Sequence, residues 1–217
     1  MAAPADSVIL LHGLARTEKS MGRLRRALER HGYHVINVGY DSRKSNIATL
    51  AEASIAPALE ACAEGGRVHF VTHSMGGILL RQFLRQHTIQ NMGRVVMLGP
   101  PNKGSEIVDR LREVPGFHLL HGDAGLELGT GPDSLPKNLG PANFDVGVIA
   151  GTRSVNLLLS TLIHGPDDGK VSVENTRLEG MNDHIQMQVT HTFMMRNNAV
   201  IKQVIHYLEN GKFKRVD

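Results

Sequence analysis

In this chain of 217 residues the stretch Val71-Thr-His-Ser-Met-Gly-Gly77 sets a serine between an apolar run and an amphipathic one. A strand that turns sharply into a helix lifts such a serine hydroxyl above the sheet edge, where it can act as a nucleophile. Strand and helix backbones nearly touch at that turn, so small residues are needed two positions either side of the serine. Gly76 meets the requirement; Thr72 departs from it, adding a Cβ and a hydroxyl where glycine is easiest to accommodate. A helix beginning at Ser74 also aims its free N–H groups and positive dipole end at any oxyanion that develops there. Leu10-Leu-His-Gly-Leu-Ala15 supplies the complementary piece. A strand ending in His-Gly places flexible backbone beside the turn, and the N–H of Leu14 can face the same point as the N–H of Met75. His12 reads as a loop-shaping residue and His73 as structural.

A serine nucleophile needs a base and a group to orient the base, in the chain order serine, acid, histidine for a nucleophile on such a turn. The acid is expected on a loop beyond a later strand, and Asp167-Asp168-Gly169 fits. Asp168 is favoured because the glycine after it lets the backbone turn; Asp167 is the alternative. Asp123, Asp133 and Asp145 fall in or beside a proline-rich stretch and fit poorly. His191, directly after Ile185-Gln-Met-Gln-Val-Thr190, leaves the last strand toward the same edge. His184 starts that strand and is expected to lie too far away.

The elements that must position these groups are short apolar runs alternating with helix-like segments. Strands are expected at Val8 to Leu11, His34 to Tyr40, Arg67 to Thr72, Arg94 to Leu98, Asp145 to Ala150 and His184 to Val189. Between them, helical spacing runs over Met21 to Arg30, Ile47 to Cys62 with a kink at Pro57, and Gly76 to Gln86, with a final helix carrying Val200 to Leu208. Near-continuous apolar strands separated by helices describe an α/β fold, a doubly wound, mainly parallel six-stranded sheet covered on both faces. Residues 1–217 are expected to form a single domain. The stretch 105–143 breaks the rhythm with repeated prolines and glycines and one short helix, Ser105 to Arg112, and reads as a mobile lid. Phe117, Leu119, Leu120, Leu126 and Leu128 are the lid residues able to offer an apolar face.

Composition narrows the partners. Lysine plus arginine is 24 and aspartate plus glutamate 21, a net charge of +3, too small to point to a nucleic-acid partner. Aromatic residues are 4% of the chain, too few for base-stacking platforms, so no nucleic-acid partner is expected. The single cysteine, Cys62, rules out an internal disulfide and a cysteine metal cage. No apolar run approaches the roughly 20 residues that cross a bilayer, and the N-terminal stretch has no basic region of a leader. The expected address is therefore the cytoplasm, with no integral membrane association; the sequence sets no oligomeric state.

Taken in order, Leu-Leu-His-Gly, Thr-His-Ser-Met-Gly-Gly, Leu-Gly-Pro-Pro-Asn-Lys-Gly-Ser, Asp-Asp-Gly-Lys-Val and Thr-His-Thr-Phe span Val8 to Leu208. The sequence resembles the α/β-hydrolase superfamily, in particular its small esterase and lipase-like members with little or no cap. The resemblance implies the doubly wound sheet, trimmed here of the first two strands of the full fold. It implies a Ser74, Asp168, His191 triad with Leu14 and Met75 as oxyanion donors, no cofactor and no metal, and a small-molecule ester substrate. Pro100 to Ser105 would open onto the substrate groove. The same triad would serve an acyltransferase or thioesterase. A catalytically silent binding module is disfavoured, because all three triad candidates are present.

Overall fold

A computed structural model describes residues 5–112, 114, 116–154, 163 and 165–215. Its centre is a six-stranded, wholly parallel sheet in the order β2-β1-β3-β4-β5-β6. The strands are β1 Ser7–Leu11, β2 His34–Val38, β3 Val68–His73, β4 Met92–Leu98, β5 Val146–Gly151 and β6 Asp183–Met187. β1, β3 and β5 are buried along their whole length, as strands covered on both faces must be.

The alternation of a strand sends successive side chains to opposite faces, and the two halves of the core follow it. Ile9, Leu11, Phe70, Val95 and Met97 pack on one face against α2 (Ile47–Glu60) and α3 (Met75–Leu84). Val8, Leu10, Val71, Val96 and Leu98 pack on the other against α1 (Gly22–Arg30) and the final helix, Asn198–Asn210. The expected strands and helices are all present with ends moved by a few residues. α2 is one helix that continues through Pro57, its first turn capped by the Asn46 side chain on the Thr49 N–H at 2.9 Å.

The stretch after β4 differs from expectation. Besides α4 (Glu106–Leu111) it forms α5 (Phe117–Leu126), broken at Gly122 where φ is 65°, and α6 (Leu135–Asn138). Two further helices (the short α7, Val173–Thr176, and α8, the final Asn198–Asn210) complete the set used below. The stretch is tied to the body at several points. The Ile47 N–H donates to Glu127 Oε2 at 2.7 Å, and the Ser105 N–H to the Leu128 carbonyl at 2.9 Å. Asp109 accepts from the N–H and hydroxyl of Thr130. Buried Arg81, its pKa lowered to about 10 by desolvation, donates to the carbonyls of Asn102 and Gly140. Leu128 is buried in the core with Ala124, and Leu126 packs beside them. Leu128 therefore serves the core, a correction to its expected role in a substrate-facing surface, while Leu126 is only partly buried there. The side chains of Phe117, Leu119 and Leu120 lie outside the described ones. Among the described residues no helix is long and apolar enough to cross a membrane.

Candidate active site

β3 ends at His73, and Ser74 follows with φ 54° and ψ −124° before α3 begins at Met75. Positive φ on a non-glycine residue is a strained conformation that neighbours must enforce. Three contacts enforce it. The Ser74 N–H donates to the Leu98 carbonyl at 2.9 Å, fixing the turn to β4. Gly76 lies so close to β1 that a Cβ there would meet the Leu11 carbonyl oxygen at 2.6 Å. Gly13 lies against the turn from the other side, where a Cβ would stand 3.1 Å from that of Ser74. Thr72, the departure from the small-residue pattern, is fully buried, and its hydroxyl faces Gly77, where an added Cβ would stand 3.2 Å away. The second glycine of Met-Gly-Gly gives the threonine its room.

His191 lies in the loop after β6, as its position in sequence suggested. Its Nε2 stands 2.9 Å from Ser74 Oγ and its Nδ1 stands 2.7 Å from Asp168 Oδ2. Asp168 is 1% exposed and His191 3%, so this pair is screened little by water. Asp168 Oδ1 accepts from the N–H groups of Lys170 (3.0 Å) and Val171 (2.9 Å), and its carbonyl accepts from the His191 N–H at 2.9 Å. The carboxylate is thus satisfied on both oxygens. Asp167 instead accepts from the Gly169 N–H through Oδ1 at 2.7 Å. The turn thereby aims one carboxylate at the imidazole and folds the other back on its own backbone. His184 is elsewhere, against Thr176 Oγ1 at 3.1 Å, with its pKa lowered to about 4, first by burial and then by Arg177.

Leu14 and Met75 flank Ser74 from the β1 loop and the first turn of α3. Ala15, next to Leu14, also has positive φ (53°), and the N–H of Ala15 donates to Ser42 Oγ at 2.8 Å, which fixes the loop. His12 stacks on Tyr40 with ring centroids 3.9 Å apart, while the Tyr40 hydroxyl donates to the His12 carbonyl. Burial lowers the His12 pKa, in keeping with a loop-shaping part.

Several supporting residues were not visible in the sequence pattern. Gly99, at the end of β4 with φ 53°, backs the acid and base: a Cβ there would meet Asp168 Oδ2 at 2.9 Å and His191 Nδ1 at 3.1 Å. Gly151, at the end of β5, does the same behind the Asp168 Cβ, at 2.7 Å. A glycine directly after an apolar strand was the available signal. His73, read as structural, donates from Nε2 to the His191 carbonyl at 2.9 Å. Burial and then the neighbouring His191 push its pKa well below the usual histidine range, so it stays neutral. Among the described residues no cluster of three or more His, Cys, Asp or Glu side chains could hold a metal ion.

A parallel sheet with a strained serine at the end of β3 and an acid and a histidine on later loops of the same edge defines an α/β-hydrolase arrangement. The chain belongs to the alpha/beta hydrolase family, whose model matches residues 8–171, a span that includes Ser74 and Asp168. No curated protein matches the chain. Among solved structures it is similar to the mature form of the lipase BlEst2 from Bacillus licheniformis, at 20% identity and a TM-score of 0.73 over 96% of this chain and 93% of that one. The metagenomic carboxyl esterase MGS0156 aligns at 17% identity and a TM-score of 0.65, over 88% of this chain and 66% of that one. Phospholipase PlaB from Legionella pneumophila aligns at 22% identity and a TM-score of 0.61, over 81% of this chain and 45% of that one. At these identities the likeness is one of fold.

Proposed function

We propose that the protein is a serine hydrolase that cleaves carboxylic esters of short to medium acyl chain through an acyl-enzyme. The observation that carries the reading is the hydrogen-bonded line Ser74 Oγ, His191 Nε2, His191 Nδ1, Asp168 Oδ2, at 2.9 and 2.7 Å. His191 accepts the hydroxyl proton at Nε2 as Ser74 Oγ attacks the ester carbonyl. Asp168 holds the Nδ1–H tautomer and stabilises the imidazolium. The N–H groups of Leu14 and Met75 receive the developing oxyanion, each donor worth about 10²–10³ in rate in well-studied enzymes. The imidazolium returns its proton to the leaving alkoxide. Water then attacks the acyl-enzyme with His191 again as base, releasing the carboxylic acid and free Ser74.

The acyl-chain preference follows from the short stretch after β4. Leu128 is committed to the core and Leu126 packs partly against it, which leaves less apolar wall for a fatty chain. Each further buried CH₂ contributes about 0.8 kcal/mol while wall remains. Across 4-nitrophenyl esters, kcat/KM should rise from acetate to a maximum between butyrate and octanoate, then fall at palmitate. A profile still rising at palmitate would contradict the chain-length part of the proposal. The nucleophile is tested separately. A fluorophosphonate probe should label Ser74 stoichiometrically, with Ser74→Ala losing both label and turnover, and a fully active Ser74→Ala would sink the hydrolase reading.

A further inference from the structure

Among the described residues only two that are not glycine adopt a positive φ, Ser74 at 54° and Ala15 at 53°. The first is the candidate nucleophile. The second directly follows Leu14, whose N–H is one of the two expected oxyanion donors. Strain of this kind persists only where the surrounding structure enforces it, and it gathers at sites whose geometry matters. For Ala15 the enforcing hydrogen bond is to a hydroxyl: its N–H donates to Ser42 Oγ at 2.8 Å. Ala15 is itself exposed, so water can serve that N–H equally well but would not hold the conformation. Ser42 is 1% exposed and lies on the loop between β2 and α2, so its hydroxyl has a fixed place.

The same loop grips the other end of the segment. The Tyr40 hydroxyl donates to the His12 carbonyl, and the two rings stack with centroids 3.9 Å apart. His12 and Ala15 bracket Gly13 and Leu14, and these two have little latitude. A Cβ on Gly13 would stand 2.9 Å from His73 Nδ1 and 3.1 Å from Ser74 Cβ. The Leu14 side chain is met by α5, its Cδ2 lying 3.2 Å from where a Cβ on Gly125 would be. The brace is seated in its turn: a Cβ on Gly122 of α5 would meet the Arg43 carbonyl oxygen at 2.2 Å. The φ angle of Ala15 sets the direction of the peptides before it relative to the chain after it. Relaxation of Ala15 to an ordinary negative φ would therefore turn the Leu14 N–H away from its place. An oxyanion donor accelerates the reaction only if it is in place before the charge develops.

We propose that Ser42 is a positioning residue for ester hydrolysis: its hydroxyl locks Ala15 in the left-handed conformation and so aims the Leu14 N–H at the oxyanion. The proposal rests on the hydrolase reading and deepens it, naming a residue outside the triad and the donors on which turnover depends.

A second-site rescue tests it. In Ser42→Ala the Ala15 N–H loses its acceptor, and kcat for 4-nitrophenyl butyrate should fall about 10- to 100-fold, at or below the loss known for deleting an oxyanion donor outright. KM should move by less than about threefold, because the substrate carbonyl depends on the donor far less than the oxyanion does. A trifluoromethyl ketone, whose adduct with Ser74 places an oxyanion in the same hole, should lose affinity by about the factor lost in kcat/KM. Glycine adopts positive φ without steric hindrance, so Ala15→Gly makes the lock unnecessary. Ala15→Gly/Ser42→Ala should regain most of the lost kcat, whereas a packing fault left by the missing hydroxyl would not respond to a change at residue 15. Ala15→Val attacks the same conformation from an exposed position with Ser42 intact, since a β-branched residue resists positive φ; it should reproduce the loss in kcat even if Ser42→Ala folds poorly. Wild-type kcat in Ser42→Ala or in Ala15→Val, or a double variant no faster than Ser42→Ala, overturns the proposal and leaves the hydrolase reading standing. A wild-type protein with neither ester turnover nor fluorophosphonate label overturns the hydrolase reading and this proposal with it.

Discussion

Asp167 and Asp168 are adjacent and chemically identical, yet their backbone settings divide them. Asp168 is buried, takes two N–H donors on Oδ1 and presents Oδ2 to His191 at 2.7 Å. Asp167 spends Oδ1 on the Gly169 N–H. Asp168→Asn keeps the shape but replaces the acceptor that selects the Nδ1–H tautomer, a change that cost about 10⁴ in kcat in the serine-protease precedent. The expected outcome is a loss of that order for Asp168→Asn and less than about tenfold for Asp167→Asn, read from steady-state ester hydrolysis. The reverse ranking would move the orienting role one residue along. Thr72 shows how one residue's cost is met by another. Its extra hydroxyl at a crowded turn is matched by Gly77, the position facing it.

At the scale of elements, the turn from β3 to α3 works because α3 can approach β1. Gly76 permits that approach, since a Cβ would press on the Leu11 and His12 carbonyl oxygens at 2.6 and 2.9 Å. Both obstacles are backbone of a buried strand end and cannot swing aside. Gly76→Ala should therefore destabilise the fold by about 1–3 kcal/mol, the usual range for overpacking, and should lower ester turnover by shifting Ser74 away from His191. Chemical denaturation and kcat measured on the same preparation check both parts; an unchanged midpoint would mean that the two elements separate easily. The same scale shows what the sequence made legible. Val-Ile-Leu-Leu and Val-His-Phe-Val-Thr-His read as buried strands because both faces of a parallel sheet are covered. Ser74 and His191 could be singled out as candidates because one directly follows β3 and the other lies in the loop shortly after β6. α5 and α6 were not, because Gly122 interrupts one and the other is four residues long, too short for a helical period to show. Gly99 and Gly151 were also hidden. A glycine at the end of an apolar strand is the one local sign of them, and it does not show which side chains, distant in sequence, need the room.

Over the whole molecule, burial has been arranged around neutral histidines, and that gives the fold a pH dependence. His12, His69, His73 and His184 all have pKa values lowered from the usual 6.5, with desolvation the first cause in each. His12 and His73 stand beside the serine turn, His69 in β3 accepts the Arg94 N–H on Nδ1 at 2.8 Å, and His184 in β6 is lowered to about 4. In the unfolded chain each of these imidazoles takes up a proton as pH falls through about 6.5, while in the folded chain it stays neutral until its lowered value is reached. The unfolded state therefore binds more protons in that window, and stability rises with pH there. Above about 7 both states are neutral at these positions and the dependence vanishes. The thermal midpoint should accordingly hold steady from pH 8 to 7 and decline continuously from about 6.5 toward 4. In His184→Gln, an uncharged side chain removes one proton from the unfolded-state excess, so the decline between about 6.5 and 4 should be shallower than in the wild type. Circular dichroism melts across this range are the measurement. A wild-type midpoint that is flat or rising as the pH drops from 6.5 to 5 would mean that these histidines are protonated inside the folded chain, and that the hydrogen bond from His73 Nε2 to the His191 carbonyl is made by an imidazolium.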